Sequence, residues 1–290
     1  MNGNPEWNES MYFNFHDERN DITAFMRIGN KPNKDEKSMF FFVMNKDIIA
    51  GMRTTGPCDD DKWSSGGLEF IDIGNDKWRL IYNGPIFDTS TKPPKQVMLE
   101  MDVEWESLNK PMDYRDCVDE RKTQMSADVA SEHYEQFGHV VGTMKIDDET
   151  TIMDSYGERD KSIGVRDWGS PKMWMWINSQ YEGKEAFNIS KLTVDKGEVD
   201  AGYFHANGRN NPLNAADIKV NYKEGVPCCY SMKLFGIDGK EYPVEGNIIR
   251  FAMLPFGGSK QMVLIESIAE TKWNGKKGFG IAEFLVPLHR

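Results

Sequence analysis

Two stretches of the chain carry the residue types that acid/base chemistry needs. In HYEQFGH, residues 133–139, His133 and Glu135 are two apart. On an extended backbone their imidazole and carboxylate project from one face and can pass a proton between them. In GERDKSIGVRDWG, residues 157–169, two Arg-Asp pairs stand seven residues apart among glycines and aromatics. Two readings of that stretch stay open. In one, Arg159, Asp160, Arg166 and Asp167 satisfy one another as bidentate pairs and anchor a glycine-punctuated turn. In the other, Asp160 or Asp167 is held in an apolar cavity against Trp168, Trp174 or Trp176 and delivers a proton, while an arginine steers a polar group of a ligand.

Other candidates are weaker. His16 and Asp17 follow the aromatic run YFNF, where a turn capped by the aspartate is the simpler reading. His205 shares a strand face with Tyr203. The five histidines and four cysteines form no three-ligand metal pattern, and no phosphate loop, dinucleotide fingerprint or nucleophile elbow is present, so neither metal nor cofactor is expected. Cys58, Cys117, Cys228 and Cys229 read as buried thiols.

The elements that must position these groups are short strands. VMLEMDVEW, residues 97–105, alternates Val97, Leu99, Met101 and Val103 with Glu100, Asp102 and Glu104. KMWMWIN, residues 172–178, sends Trp174 and Trp176 one way and Met173, Met175 and Ile177 the other, as expected for a strand between two layers. Asn274-Gly275 marks a hairpin. Residues 106–131 break the strand texture and suit a long loop with one helix over Lys122 to Ser131. The expected fold is all-β, two tandem antiparallel barrels over residues 1–155 and 156–290.

A net charge of −11 argues against nucleic acid as a partner. No apolar run is long enough to span a bilayer, and the opening MNGNPEWNESMYF lacks the basic and apolar regions of a signal peptide, which points to a cytoplasmic protein.

SEHYEQFGHVVGTMKI followed by SYGERDKSIGVRDWG resembles the family of AttH-like proteins and carotenoid 1,2-hydratases. YFNFHDERNDITAFMRIGNKPN, WRLIYNG, GIDGKEYPVEG and WNGKKGFGIAE extend the resemblance over nearly the whole chain. It implies two lipocalin-like barrels and an apolar small-molecule substrate or ligand. The implied chemistry is cofactor-independent, of hydratase/dehydratase, isomerase or cyclase type; Asp160 is the first candidate for proton donor, the family's His at position 161 being the other, with His133 and Glu135 as relay or water activator. The alternative is a carrier of hydrophobic small molecules or lipid without turnover. His133, Glu135, Gln136, Arg159, Asp160, Arg166, Asp167 and Trp168 match the family pattern, and substrate contacts are expected from Arg159, Lys161, Arg166, Asp167, Trp168, Trp174 and Trp176. Lys161 and Ile163 depart from it, standing where the pattern has His and Trp. A lysine at its ordinary pKa of about 10.4 is a weaker acid than histidine, so this departure points to a changed substrate or chemistry.

Overall fold

A computed structural model describes residues 3–58, 62–120, 125, 132–165, 171–256 and 262–287. Strands dominate it. The chain divides into two compact units, each discontinuous in sequence: residues 1–108 with 136–163, and residues 109–135 with 164–290.

The first unit is built from β1 (Trp7–Asp17), β2 (Ile22–Lys31), β3 (Glu36–Met44), β4 (Ile49–Gly56), β5 (Ser64–Ser65), β6 (Leu68–Gly74), β7 (Lys77–Asp88) and β8 (Lys95–Ser107). After the short β9 (Met112–Asp113) come β10 (Glu132–Ile146) and β11 (Glu149–Val165). The strand order is β4-β3-β2-β1-β11-β10-β8-β7, and a short β4–β7 pairing at Ala50↔Asp88 and Gly51↔Phe87 joins its two ends into a ring of eight. Alternation in β8 sets the ring's inside and outside. Val97, Leu99, Met101, Val103 and Trp105 enter a core with Phe13, Phe41 and Tyr82, while Asp102 faces out and takes a bidentate pair from Arg79 at 2.8 and 2.6 Å.

In the second unit, β12 (Met173–Tyr181), β13 (Glu185–Val194), β14 (Gly197–Ala206), β15 (Arg209–Lys223), β16 (Val226–Gly236), β17 (Glu241–Phe256), β18 (Met262–Trp273) and β19 (Lys276–Pro287) pair in sequence order, and β19 returns to β12 to close a barrel. The β18–β19 hairpin turns at Asn274 and Gly275, both at positive φ (48° and 76°), a conformation that asparagine and glycine accept at least cost. Aromatic rings fill the interior. Phe204 stacks on Tyr242 at 4.1 Å between centroids, with Trp273 4.7 Å from Phe204.

Ile177 and Tyr181 of β12 belong to this interior, so period two sends Trp174, Trp176 and Asn178 to the outer face of the wall. Within the unit, part of that outer face is covered by residues 109–135. Cys117 donates its S–H to the Gly202 carbonyl at 3.0 Å, Asn109 bonds Asn210 at 3.0 Å, and Met125 packs on Leu192, Val194 and Val199. Of the helix expected over 122–131, only Met125 lies within the described residues.

Of the two readings of Gly157–Gly169, the turn does not hold over the described part, because Gly157 to Val165 are extended in β11. Gly157 is there for close approach, not for bending. A Cβ at this position would lie 1.9 Å from the Asn14 carbonyl oxygen. Asp17 caps the β1–β2 turn by accepting the Asn20 N–H at 3.0 Å, and His16 bonds Thr23 at 2.9 Å.

Candidate active site

The second unit assembles a polar cluster on Glu135. The carboxylate is fully buried. Three groups converge on one of its oxygens, Oε1: His133 Nε2 at 2.6 Å, the Trp176 indole N–H at 3.0 Å and the Tyr114 hydroxyl at 3.4 Å. Strand geometry supplies the first two. His133 and Glu135 lie two apart in β10, where Glu135 pairs with Met112 of β9, and Trp176 stands on the outer face of β12.

Tyr114 arrives from a 3-10 turn directly after β9, whose first residue is capped by Asp113 accepting the Arg115 N–H. Its ring stacks on His133 at 4.3 Å, which fixes the imidazole plane. Its hydroxyl is 2.6 Å from Asn188 Oδ1 and 3.2 Å from Ser190 Oγ. A phenol has one proton to give, so the shorter contact marks Asn188 as its acceptor and leaves the tyrosine oxygen to receive from Ser190.

The buried carboxylate is thus tied to an imidazole that is about a fifth exposed (19%). Nε2 of His133 is the nitrogen that meets Glu135. The carboxylate orients the imidazole ring, and the indole N–H is a second donor to the same oxygen.

A second carboxyl centre lies along the same outer face. Glu266 and Glu283 are directly opposite one another in the β18–β19 ladder, and Glu283 is in turn opposite Trp176 in β12. The Trp174 indole donates to Glu283. Both glutamates are buried. Burial first, and then the facing Glu283 carboxylate, push Glu266 well above the usual carboxylate range, so the pair favours holding a proton.

In the first unit, Arg159 donates to Gln136 Oε1 and lies over the rings of Trp78 and Trp105, 5.4 and 5.8 Å from their centroids. Asp160, the next residue, faces the other way and accepts the Ser162 hydroxyl at 2.8 Å. Lys161 pairs with Glu9 at 3.1 Å. Arg166, Asp167 and Trp168 lie outside the described residues. The structure therefore groups His133, Glu135, Trp174 and Trp176 in one unit, and Arg159, Asp160 and Lys161 in the other.

Five residues of these clusters escaped sequence reasoning: Tyr114, Asn188, Ser190, Glu266 and Glu283. The two glutamates carry a readable signal. Each is the sole charge inside an apolar run, VLIESIA and GIAEFLV, a pattern that marks a buried charge needing a reason.

No curated protein matches the chain. Solved structures do. An AttH assigned in Nitrosomonas europaea is similar over 97% of this chain and 93% of its own, with TM-score 0.67 and 9% identity. CghA, crystallised with Sch210972, is similar over 98% and 89% of the two chains, with TM-score 0.66 and 11% identity. Kievitone hydratase from Nectria haematococca is similar over 96% and 88%, with TM-score 0.62 and 11% identity. At such identities the likeness shows a shared fold, and it bears out the resemblance to AttH-like and hydratase proteins read from the sequence. The model of a family described as a domain of unknown function, DUF7064, matches residues 1–287, and the chain belongs to that family.

Proposed function

We propose that this protein is a cofactor-independent acid/base enzyme that acts on an apolar small molecule, with chemistry of the hydratase/dehydratase, isomerase or cyclase type. One arrangement carries the proposal: the fully buried Glu135 carboxylate held by His133 at 2.6 Å and by the Trp176 indole at 3.0 Å. A structural ion pair has no need of a partly exposed imidazole on one side and a neutral indole donor on the other. The names of two fold relatives, kievitone hydratase and CghA with Sch210972, support a small-molecule substrate.

In this proposal His133 and Glu135 transfer the proton. Asp160, half-buried and bonded by Ser162, is the candidate proton donor. Protonation of an alkene carbon leaves an electron-poor neighbouring carbon; addition of water followed by loss of a proton completes hydration, and the same steps reversed complete dehydration. The candidate substrate contacts are Arg159, Lys161, Arg166, Asp167, Trp168, Trp174 and Trp176.

The test is native mass spectrometry of wild type, Glu135→Gln and Asp160→Asn purified from the source organism, followed by organic extraction of any retained compound. Catalysis predicts an apolar compound that accumulates on Glu135→Gln and is converted by wild type. Equal retention without conversion by all three proteins identifies a carrier instead.

A further inference from the structure

Cys228 and Cys229 are consecutive residues of β16, and on a regular strand consecutive side chains point to opposite faces. Here they converge. The β15–β16 ladder pairs Asn221 with Cys229 and Tyr222 with Pro227, which leaves Cys228 as the extra residue of a β-bulge. The two sulfurs are 3.9 Å apart. Asn221 faces both: its backbone carbonyl accepts the Cys228 S–H at 3.4 Å, and its side-chain Nδ2–H donates to the Cys229 sulfur at 3.4 Å. Both residues are half-buried, whereas Cys117 alone meets the expectation of a buried thiol. Cys228 also lines a surface cavity of about 370 Å³ with Lys223, Val226, Ile249 and Phe251.

Two neighbouring thiols can be joined directly or through a shared atom. A direct disulfide fits badly, because consecutive Cα atoms are about 3.8 Å apart, short of the roughly 4.4–6.8 Å that disulfides span. A bridging ion fits without rearrangement. Thiolate–metal bonds of about 2.3 Å, drawn from sulfurs 3.9 Å apart, meet at an angle of about 116°, between tetrahedral and trigonal values. The ion must be content with two protein ligands, since among the described residues no third His, Cys, Asp or Glu ligand joins the pair. Zinc in structural sites takes four, whereas soft thiolates select Cu(I).

We propose that Cys228 and Cys229 form a bulge-built dithiolate site for a soft cation of the Cu(I) type, with its remaining position open to the adjoining cavity for an exogenous ligand. Binding converts two thiols and Cu(I) into a bis-thiolate complex and releases two protons, so affinity rises with pH.

The probe is Cu(I) itself, delivered anaerobically to the full chain in competition with a chromophoric Cu(I) chelator. Wild type and Cys58→Ser are each expected to take up one Cu(I) per chain with a thiolate-to-copper absorption band, and Cys228→Ser and Cys229→Ser each to lose at least tenfold in affinity. In wild type, bound Cu(I) should protect both residues from alkylation mapped by mass spectrometry, a readout that needs no variant to fold. Uptake that survives both serine substitutions, uptake lost equally in Cys58→Ser, alkylation unaffected by Cu(I), or no uptake at all would each overturn the proposal.

Discussion

The Trp176 indole N–H meets Glu135 Oε1 at 3.0 Å, where the carboxylate is completely removed from solvent. A hydrogen bond to a charged group is worth about 1.5–3 kcal/mol, more than a neutral one, because the acceptor's lost hydration is costly. Trp176→Phe keeps a ring and removes the donor. It is expected to lower the unfolding free energy at neutral pH by about 1.5–3 kcal/mol, measured by urea denaturation. A change under about 0.5 kcal/mol would mean that the bond does not support the carboxylate.

Tyr114→Phe deletes the hydroxyl that links Asn188, Ser190 and Glu135 while preserving the stack on His133. The cost is expected at about 1–3 kcal/mol, since the buried Asn188 loses a partner. Amide hydrogen exchange should speed up in residues 112–117, which the tyrosine ties to the barrel wall. Unchanged protection there would show that other contacts hold the segment.

Gly202 sits where β14 meets β13, and a Cβ at that position would lie 2.0 Å from the Asn188 carbonyl oxygen. Backbone cannot yield as a flexible side chain can. Gly202→Ala is expected to destabilise by about 1–3 kcal/mol or more and to shift Asn188 away from Tyr114. Wild-type stability in a thermal melt would refute this close approach.

Glu266 gives a pH prediction. Its folded pKa lies above the ordinary glutamate value of 4.5, so between the two the native state binds more protons than the unfolded state, and stability falls as pH rises through that window. The charged or polar groups facing it from neighbouring strands are Glu283 of β19 and, through Glu283, the Trp174 indole of β12. Glu266→Gln mimics the protonated form. Its melting temperature should exceed that of wild type at neutral pH, with the difference shrinking toward pH 4.5. A variant no more stable at neutral pH than at acid pH, relative to wild type, would contradict the assignment.

The sequence carried the faces more clearly than the topology. Period two placed Val97, Leu99, Met101 and Val103 on one side of β8, separated Trp174 and Trp176 from Ile177, and put His133 beside Glu135, because strand alternation is local. Gly157 misled: glycine as a breaker and glycine as a place for another backbone look alike until the neighbouring strand is known. Tyr114, Asn188 and Ser190 meet only after strand order and register are set, from positions 74 and 76 residues apart. No local pattern encodes that meeting.

The most direct test of the central claim is solvent-deuterium incorporation. Apolar extract from the source organism is incubated in D2O with wild type or with Glu135→Gln, and compounds that change are identified by mass spectrometry. Proton transfer at the His133–Glu135 pair predicts an apolar product that gains carbon-bound deuterium with wild type and is absent or much slower with Glu135→Gln. A product formed equally by both proteins, or a compound retained by both and never converted, would contradict it.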